Sequence, residues 1–295
     1  MKPIINSPVS PKRKNVNGLF IGITSVDIVY NSNEPLPNDN EKVIINDFDM
    51  RIGGPAAKAA MTCAELGGDV TLITCIGDSP FAQSIKSQIE AANVKVYDLG
   101  IGKVDNPNIS CVYIREDEAS RTIISGINHL EAGALDVQII ASDYDYCLYD
   151  CNLINLTPEI VDALSDRDIP LVLDCGNWKK NIEPALKYAD TAISSACFKS
   201  PAEDDIFALG KSYNIENVAM TRDGDSILYK TVDDEGEIPV EKIDNCNSSG
   251  AGDVFHGAFC YYYYHEKKSF IDALTEASIH ATDYVLKASK TPFTP

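Results

Sequence analysis

Two glycines, an alanine and an aspartate stand together where a helix is predicted to begin. In NSSGAGDVFHGAF, residues 247–259, these four are Gly250, Ala251, Gly252 and Asp253. The apolar residues that follow recur at the i, i+3, i+4, i+7 spacing of a helix with one buried face. Because glycine lacks a Cβ, the backbone can approach a ligand closely here. The first turn of a helix also presents unpaired N–H groups and the positive end of the helix dipole, so the stretch favours the binding of an anion. The competing interpretation is an ordinary glycine-rich helix cap.

The rest of the chain predicts an α/β fold that places this turn at the edge of a sheet. Apolar runs of strand length, such as GLFIGI, VTLITCIG and IPLVLDCG, alternate with helical segments such as PAAKAAMTCAEL. Buried strands that alternate with helices indicate a mostly parallel, doubly wound sheet with helices on both faces. In such a sheet, ligands bind outside the carboxyl ends of the strands.

Several residues near predicted strand ends are expected to converge at that edge. Asp27 follows the first predicted strand, and Asp174 ends the run LVLD. Gly53 and Gly54 precede the small-residue helix. A cap, a turn or a solvated carboxylate would explain each one separately, and for Asp174 this is the favoured interpretation. Together with Gly250–Asp253, they predict a ligand site.

Two segments without a crossover helix predict a small second sheet. KVIINDFDMRI, residues 42–52, and NISCVYIREDEASRTIIS, residues 108–125, are typical of exposed, twisted strands. We expect lid segments 34–52 and 107–126 to cover one edge of the main domain. Their unpaired strand edges predict a homodimer formed through the lid.

Composition excludes several classes of partner. The 295 residues carry a formal net charge of −19, which disfavours nucleic-acid and anionic-membrane surfaces. No apolar run reaches the roughly 18 residues of a membrane-spanning helix. Nine cysteines without a close pairing pattern predict reduced thiols and a cytoplasmic location, and no histidine pair has the spacing of a zinc site. Residues 1–17 are expected to form a disordered tail, and residues 18–295 the folded domain.

Two motifs resemble the signatures of the ribokinase (PfkB) family of carbohydrate kinases. NSSGAGDVFHGAF is similar to the C-terminal signature D-T-x-G-A-G-D-x-F-x-G-A, and GGPAAKAA, residues 53–60, resembles the N-terminal signature G-G-x-x-x-N-x-A. Their order, the βα alternation, the interposed lid and SRTII agree with the family from about Gly18 to the chain end. The resemblance implies a ribokinase-like fold and transfer of the γ-phosphate of ATP, with Mg²⁺, to a hydroxyl of a sugar or sugar-like acceptor.

The resemblance also implies roles for individual residues. Asp253 would be the base that takes the proton of the attacking hydroxyl, and a helix N-terminus is expected to keep its carboxylate ionised. The γ-phosphate would be bound by the amides of Gly250, Ala251 and Gly252. The acceptor would be bound by Asp27, Gly53, Gly54 and Lys58. The nucleotide would be bound by Ser195, Thr221, Arg222 and Gly224.

Some positions depart from the family pattern. Asn247 replaces the usual Asp that helps bind a monovalent cation, so we expect little stimulation by K⁺. ISSACF, residues 193–198, stands where the family has the Asn-x-x-Glu motif that helps organise Mg²⁺ and phosphate. In TRDGDS, residues 221–226, the glycine of the nucleotide loop is displaced. Nucleotide binding is therefore expected to be weaker or less selective for the base.

Lys58 replaces the sugar-contacting Asn and has three explanations. A cation in the first turn of a helix is unfavourable and needs compensation. This compensation would come from an ion pair with Asp27, from an anionic group on the acceptor far from the reacting hydroxyl, or from solvent.

Alternative functions are a nucleoside or modified-sugar (acidic-sugar) kinase of the same fold, and a sugar- or nucleotide-binding regulator with little turnover. The retained Asp253 favours an enzyme over the regulator.

Overall fold

A computed structural model describes residues 16–115, 117, 120–126, 135–140, 143–179, 182–201, 205–243 and 248–290. The predicted tail, residues 1–17, lies almost entirely outside these ranges, and Asn17 is the first residue of a strand. Asn247, with its expected effect on cation binding, also lies outside the described residues.

Thirteen strands are formed by the described residues. In chain order they are β1 Asn17–Ile21, β2 Ser25–Ser32, β3 Phe48–Gly53, β4 Asp69–Thr74, β5 Val94–Asp98, β6 Asn108–Arg115, β7 Ser120–Gly126, β8 Tyr146–Tyr149, β9 Leu171–Cys175, β10 Thr191–Ser195, β11 Asn217–Arg222, β12 Asp225–Lys230 and β13 Glu235–Ile238. Nine of them form one sheet in the order β13-β12-β11-β10-β9-β8-β1-β4-β5. All neighbours from β11 to β5 are parallel, and only β12 and β13 add antiparallel pairs. The predicted, mostly parallel sheet is confirmed.

Helices cover both faces of this sheet. They are α1 Pro55–Glu65, α2 Pro80–Ala91, α3 Thr157–Ser165, α4 Glu183–Tyr188, α5 Ile206–Tyr213, α6 Ala251–Cys260 and α7 Phe270–Lys290. Phe20 of β1 packs in the core with α1, α2, α6 and α7, whereas its neighbours Leu19 and Ile21 pack in the core with α3, α4 and α5. Because side chains alternate along a strand, each buried strand contributes to both cores. Within the described part of the chain, no helix combines the length and apolar character needed to span a membrane.

The second sheet has the order β3-β2-β6-β7 and is separate from the first. Two of its features differ from the expectation. The segment 42–52 is a strand only from Phe48 onward, and β2 is a strand that the sequence analysis did not recognise. Asp27 therefore lies inside β2 rather than after β1, because only Gly22, Ile23 and Thr24 separate these two strands. The predicted bounds of the two lid segments stay a prediction.

Candidate active site

The glycine turn begins helix α6 as predicted. Gly250 is the N-cap residue, with φ 80°, a left-handed conformation that glycine adopts without strain. The amide of Ala251 donates to the carbonyl oxygen of Ser248 at 3.0 Å. Within the described part of the chain, the amides of Gly250, Gly252 and Asp253 have no protein acceptor. The free N–H groups of this first turn therefore differ by one residue from the three amides that the sequence predicts.

Asp253 lies in this first turn and is partly buried. Burial raises the pKa of its carboxyl from 3.8 to about 7, and the nearby Asp174 carboxylate contributes to the rise. Lys58 and His256 act on this pKa in the opposite direction. The sequence analysis expects the helix N-terminus to keep Asp253 ionised; burial acts against this, so the carboxyl is only partly ionised at neutral pH. The group is poised to exchange a proton near neutral pH.

His256 connects α6 to the sheet edge. Its Nδ1 lies 2.7 Å from the carbonyl oxygen of Gly252, and its Nε2 lies 3.8 Å from Oδ1 of Asp174 in β9. Asp174 is 6% exposed and accepts a hydrogen bond from the amide of Gly176 at 3.0 Å. Of the three ordinary explanations for Asp174, its burial excludes a solvated carboxylate, whereas the hydrogen bond from the Gly176 amide is the contact of a turn.

A second buried carboxylate belongs to Asp150, directly after β8. Asp150 is fully buried and accepts hydrogen bonds from the amides of Ile23, Ala56 and Asn152. Its oxygens thereby hold the ends of β1 and β8 to the first turn of α1. Burial raises the pKa of the Asp150 carboxyl, and Lys179 opposes this rise most strongly.

Three of the predicted acceptor residues lie close together near the start of β2, namely Asp27, Gly53 and Gly54. Asp27 and Gly53 are close, because a Cβ on Gly53 would come within 2.6 Å of Oδ2 of Asp27 and 2.7 Å of Oγ of Ser25. Gly54 has φ 92° and lies against the backbone of Ile23 and Thr24. Burial raises the pKa of Asp27. The carboxyl of Asp27 and the hydroxyl of Ser25 thus lie beside Gly53, at the end of the second sheet where β2 pairs with β3.

Lys58 extends from α1 to the start of α6. A Cβ on Gly250 would collide with Nζ of Lys58. The amine donates to the hydroxyl of Tyr284 at 3.4 Å and lies 5.6 Å from the centre of the Tyr284 ring. Its positive charge opposes the rise that burial causes in the pKa values of Asp27 and Asp253. Among the described residues, no carboxylate lies at ion-pair distance from this amine, so the first of the three explanations, a direct ion pair with Asp27, is not formed, although the charge of Lys58 still acts on Asp27.

Close packing of α1 on α6 explains why Lys58 reaches this position. A Cβ on Gly257 of α6 would collide with the backbone of Ala59 in α1. The residues of α1 beside Ala59 are also small, with Ala56, Ala57 and Ala60 all buried. Small side chains allow the two helix backbones to approach closely, as helix packing geometry requires. The side chain next to Ala59 is thereby directed at the first turn of α6.

A cavity of about 300 Å³ lies beside the glycine turn. Three of the residues predicted to bind the nucleotide line it, namely Ser195, Thr221 and Gly224. Ala251 and Gly252 form part of its wall, so the cavity reaches the first turn of α6. Ligand pockets are commonly of this size and connect an apolar interior to a few polar groups.

Arg222, the fourth predicted nucleotide residue, does not line this cavity. Its Nε donates to the carbonyl oxygen of Ser226 at 2.7 Å, which turns its side chain toward the hairpin of β11 and β12. Apolar side chains form much of the wall instead, among them Ile227, Val240 and Phe255. A planar, apolar group such as a nucleotide base fits a wall of this kind.

Sequence reasoning missed Asp150, Lys179 and Tyr284. Asp150 ends YCLYD in the same way that Asp174 ends LVLD, so the same signal was present. Lys179 donates to the carbonyl oxygen of Asp150 at 2.6 Å. Tyr284 lies in the last helix, and nothing in the local sequence indicates that its hydroxyl lies 3.3 Å from the carbonyl oxygen of Ser249. These contacts depend on tertiary structure.

Comparison with known proteins identifies this arrangement. Residues 17–143 match the pfkB family carbohydrate kinase domain. The chain is 25% identical over 270 residues to a deoxyribokinase of Salmonella typhi, with 82% of this chain and 84% of that protein covered. Residues 17–143 therefore carry the match to the pfkB family, and the relatives support a pfkB-family carbohydrate kinase. A ribokinase of Bacillus subtilis is 24% identical over 254 residues, with the same shares covered, 82% and 84%.

The fold of this carbohydrate kinase is the ribokinase fold. The crystal structure of ribokinase from Thermotoga maritima superposes with a TM-score of 0.75 at 17% identity, covering 95% of this chain and 94% of that chain. The pfkB family implies a sugar substrate and ATP as the phosphate donor. Among the residues described in this kinase, no three Asp, Glu, His or Cys side chains are grouped to hold a metal ion.

Proposed function

We propose that the protein transfers the γ-phosphoryl group of ATP to a hydroxyl of a small sugar or sugar-like acceptor. In this reaction the acceptor oxygen forms a bond to the γ-phosphorus. The bond from that phosphorus to the β–γ bridging oxygen breaks, and its electron pair stays on ADP. The hydroxyl proton leaves to Asp253, so the products are ADP, the sugar phosphate and one proton. The observation that carries the proposal is the glycine turn, which lines the cavity and lies against Lys58, a lysine whose charge also acts on Asp27.

Asp253 is proposed as the base. A carboxyl whose pKa is raised by burial to about 7 can accept a proton at neutral pH and release it afterwards. Its position in the first turn of α6 places it beside the N–H groups that would bind the transferred group. Phosphoryl transfer needs positioning and charge stabilisation more than strong base catalysis, and one partly buried carboxylate is adequate for that task.

The γ-phosphate is proposed to bind at the amides of the glycine turn, and the rest of the nucleotide in the cavity. The N–H groups of Gly250, Gly252 and Asp253 have no acceptor among the residues that the structure describes, whereas that of Ala251 donates to the carbonyl oxygen of Ser248. Donors aimed at developing negative charge in a partly buried site are among the strongest contributions to catalysis. Ser195, Thr221 and Gly224 support nucleotide binding because they line the cavity.

Mg²⁺ is proposed to enter with the nucleotide. Mg²⁺ usually keeps several waters and binds substrate phosphates together with one or two carboxylates, and a site of that kind fits a chain whose described residues hold no three-ligand cluster. When bound, Mg²⁺ would neutralise charge on the phosphates.

The acceptor is proposed to bind at Asp27, Gly53 and Gly54, because these residues lie together at the end of the second sheet where β2 pairs with β3.

A homodimer formed through the second sheet is part of the proposal. Strand register places Phe48, Met50 and Ile124 on one face with Ile28 and Cys111. The first three are 51%, 48% and 67% exposed. An exposed apolar face of this kind is typical of a surface that another chain covers.

A cytoplasmic location is also proposed, because the eight described cysteines are all free thiols.

The proposal is tested by measuring ADP formation with purified protein, MgATP and a panel of pentoses, deoxypentoses, hexoses, sugar acids and nucleosides. At least one acceptor is expected to give ADP and its phosphate ester in equal amounts. A thermal-shift measurement of the same panel reports binding without turnover, since a ligand that binds the folded state raises its stability. Binding of a sugar and of ATP without ADP formation would support the regulator instead.

A further inference from the structure

The position of Lys58 favours an anion at the first turn of α6, in addition to the carboxyls of Asp27 and Asp253 on which its charge already acts. Its amine lies over Gly250, at the end of α6 where the helix dipole is positive. Cations are disfavoured at a helix N-terminus and anions are favoured there. The close packing of α1 on α6 nevertheless directs this lysine toward Gly250, and its side chain is half-buried.

The contacts of the amine within the protein are weak. A 3.4 Å hydrogen bond to the neutral hydroxyl of Tyr284 is long, and the ring centre lies 5.6 Å away. Tyr284 in turn donates to the carbonyl oxygen of Ser249 at 3.3 Å. This tyrosine therefore holds Lys58 and the glycine turn in register, while no described carboxylate neutralises the ammonium group at ion-pair distance.

We infer that Lys58 binds the phosphoryl group while it is transferred between ATP and the acceptor. The inference rests on the proposed function and adds a residue to it. The ammonium group and the free amides of the turn would face the same equatorial oxygens of the γ-phosphorus, and Lys58 would stabilise the charge that spreads over them. Tyr284 is the positioning residue for this lysine.

This role differs from recognition of an anionic acceptor. An acidic group distant from the reacting hydroxyl would require a cation far from the glycine turn, whereas Nζ of Lys58 lies against it. Lys58 therefore acts on every acceptor alike, neutral or acidic. The expected signature is a loss of kcat, with the KM values for ATP and for acceptor nearly unchanged.

The test compares Lys58→Met, which keeps the length and removes the charge, with Lys58→Arg, which keeps the charge. Lys86→Met is the matched control, because Lys86 lies on α2, is half-buried like Lys58, and among the described residues has its ion pair with Glu90 at 3.8 Å. With the best acceptor of the panel, Lys58→Met is expected to lower kcat about 100-fold, the loss typical of one charge-stabilising donor. Lys58→Arg should recover part of this loss, and Lys86→Met should match the wild type.

A binding measurement gives a readout that a purely structural role would not change. Calorimetry with MgCl₂ compares ADP alone with ADP plus aluminium fluoride, which imitates the phosphoryl group in transfer. Lys58→Met should bind ADP like the wild type, and should lose tenfold or more of the extra affinity conferred by aluminium fluoride. Tyr284→Phe should show a smaller loss of the same kind.

The outcomes separate the inference from the proposed function. A wild type that turns over sugar and a Lys58→Met variant with kcat within threefold of it would overturn the inference alone. A variant that raises KM only for acidic sugars would also overturn it, in favour of acceptor recognition. A wild type that forms no ADP with any acceptor would remove the proposed function and the inference together.

Discussion

Nζ of Lys58 occupies the space that a Cβ on Gly250 would require. The two residues belong to the two glycine-containing motifs, which lie far apart in the sequence and meet through the packing of α1 on α6. Gly250 is favoured by its left-handed φ of 80°, and a Cβ at this position would in addition displace the flexible end of Lys58. Neighbouring Gly252 has neither constraint, since a Cβ there would meet no atom within 4 Å.

This contrast predicts opposite effects for two similar substitutions. Gly250→Ala should lower the free energy of unfolding by about 1–2 kcal/mol from the left-handed backbone alone. It should also displace Lys58 and lower kcat by about tenfold to 100-fold. Gly252→Ala lies inside the helix and should raise the free energy of unfolding by about 0.5–1 kcal/mol. Urea denaturation measures both, and an equally stable pair of variants would contradict the geometry.

Asp253→Asn should abolish most turnover and make the protein more stable above pH 7. As the proposed base, Asp253 should contribute about 10²–10⁴-fold to kcat, while ATP binding in the cavity persists. Because its folded pKa of about 7 exceeds the ordinary value of 3.8, the ionised form is disfavoured in the fold. The asparagine variant should thus gain on the order of 1–4 kcal/mol at pH 8, and the gain should vanish as pH falls toward 4.

Asp162→Asn, on the exposed side of α3, is the matched control for both measurements. Neither its kcat nor its free energy of unfolding should differ much from the wild type. If Asp253→Asn kept wild-type kcat, the residue would not be the base. If it were destabilised at pH 8, the carboxylate would be stabilised in the fold, contrary to its raised pKa.

The pH dependence of kcat/KM should report the same group in the free enzyme. Only the ionised carboxylate of Asp253 can accept the hydroxyl proton. Activity should therefore be constant above about pH 7 and fall about tenfold per pH unit below it. Initial rates between pH 5 and pH 9 at subsaturating acceptor test this, and a profile that stays flat down to pH 5 would assign the base an ordinary pKa.

The apolar face of the second sheet should control the oligomeric state. A Met50→Glu and Ile124→Glu double variant places two charges on that face and should convert a dimer into a monomer. Val232→Glu is the control, because Val232 is 78% exposed in the turn between β12 and β13, away from this sheet. Sedimentation at micromolar concentrations distinguishes the forms, and a monomeric wild type would remove the proposed dimer.

Some features follow from local sequence because their physics is local. A glycine that must adopt φ 80°, followed by an amphipathic repeat, predicts the start of α6 wherever that helix lies. The alternation of apolar runs and helical segments likewise predicts the parallel sheet, since strands buried on both faces are apolar throughout. β2 was missed because its buried and half-buried residues do not alternate regularly, and its pairing partners lie elsewhere in the chain.

The amino-acid sequence by itself determined the fold class, the glycine turn, the small-residue helix and the candidate base. Only the tertiary structure decided the burial of those groups, their pKa values and their contacts. The pKa of Asp253 is raised because distant segments bury it beside Asp174, and burial is not encoded in the first turn of a helix. Lys58 reaches the glycine turn because Gly257 and Ala59 let two helices approach closely, and Tyr284 joins from the last helix. Desolvation and contact between segments far apart in sequence arise only when the chain is packed.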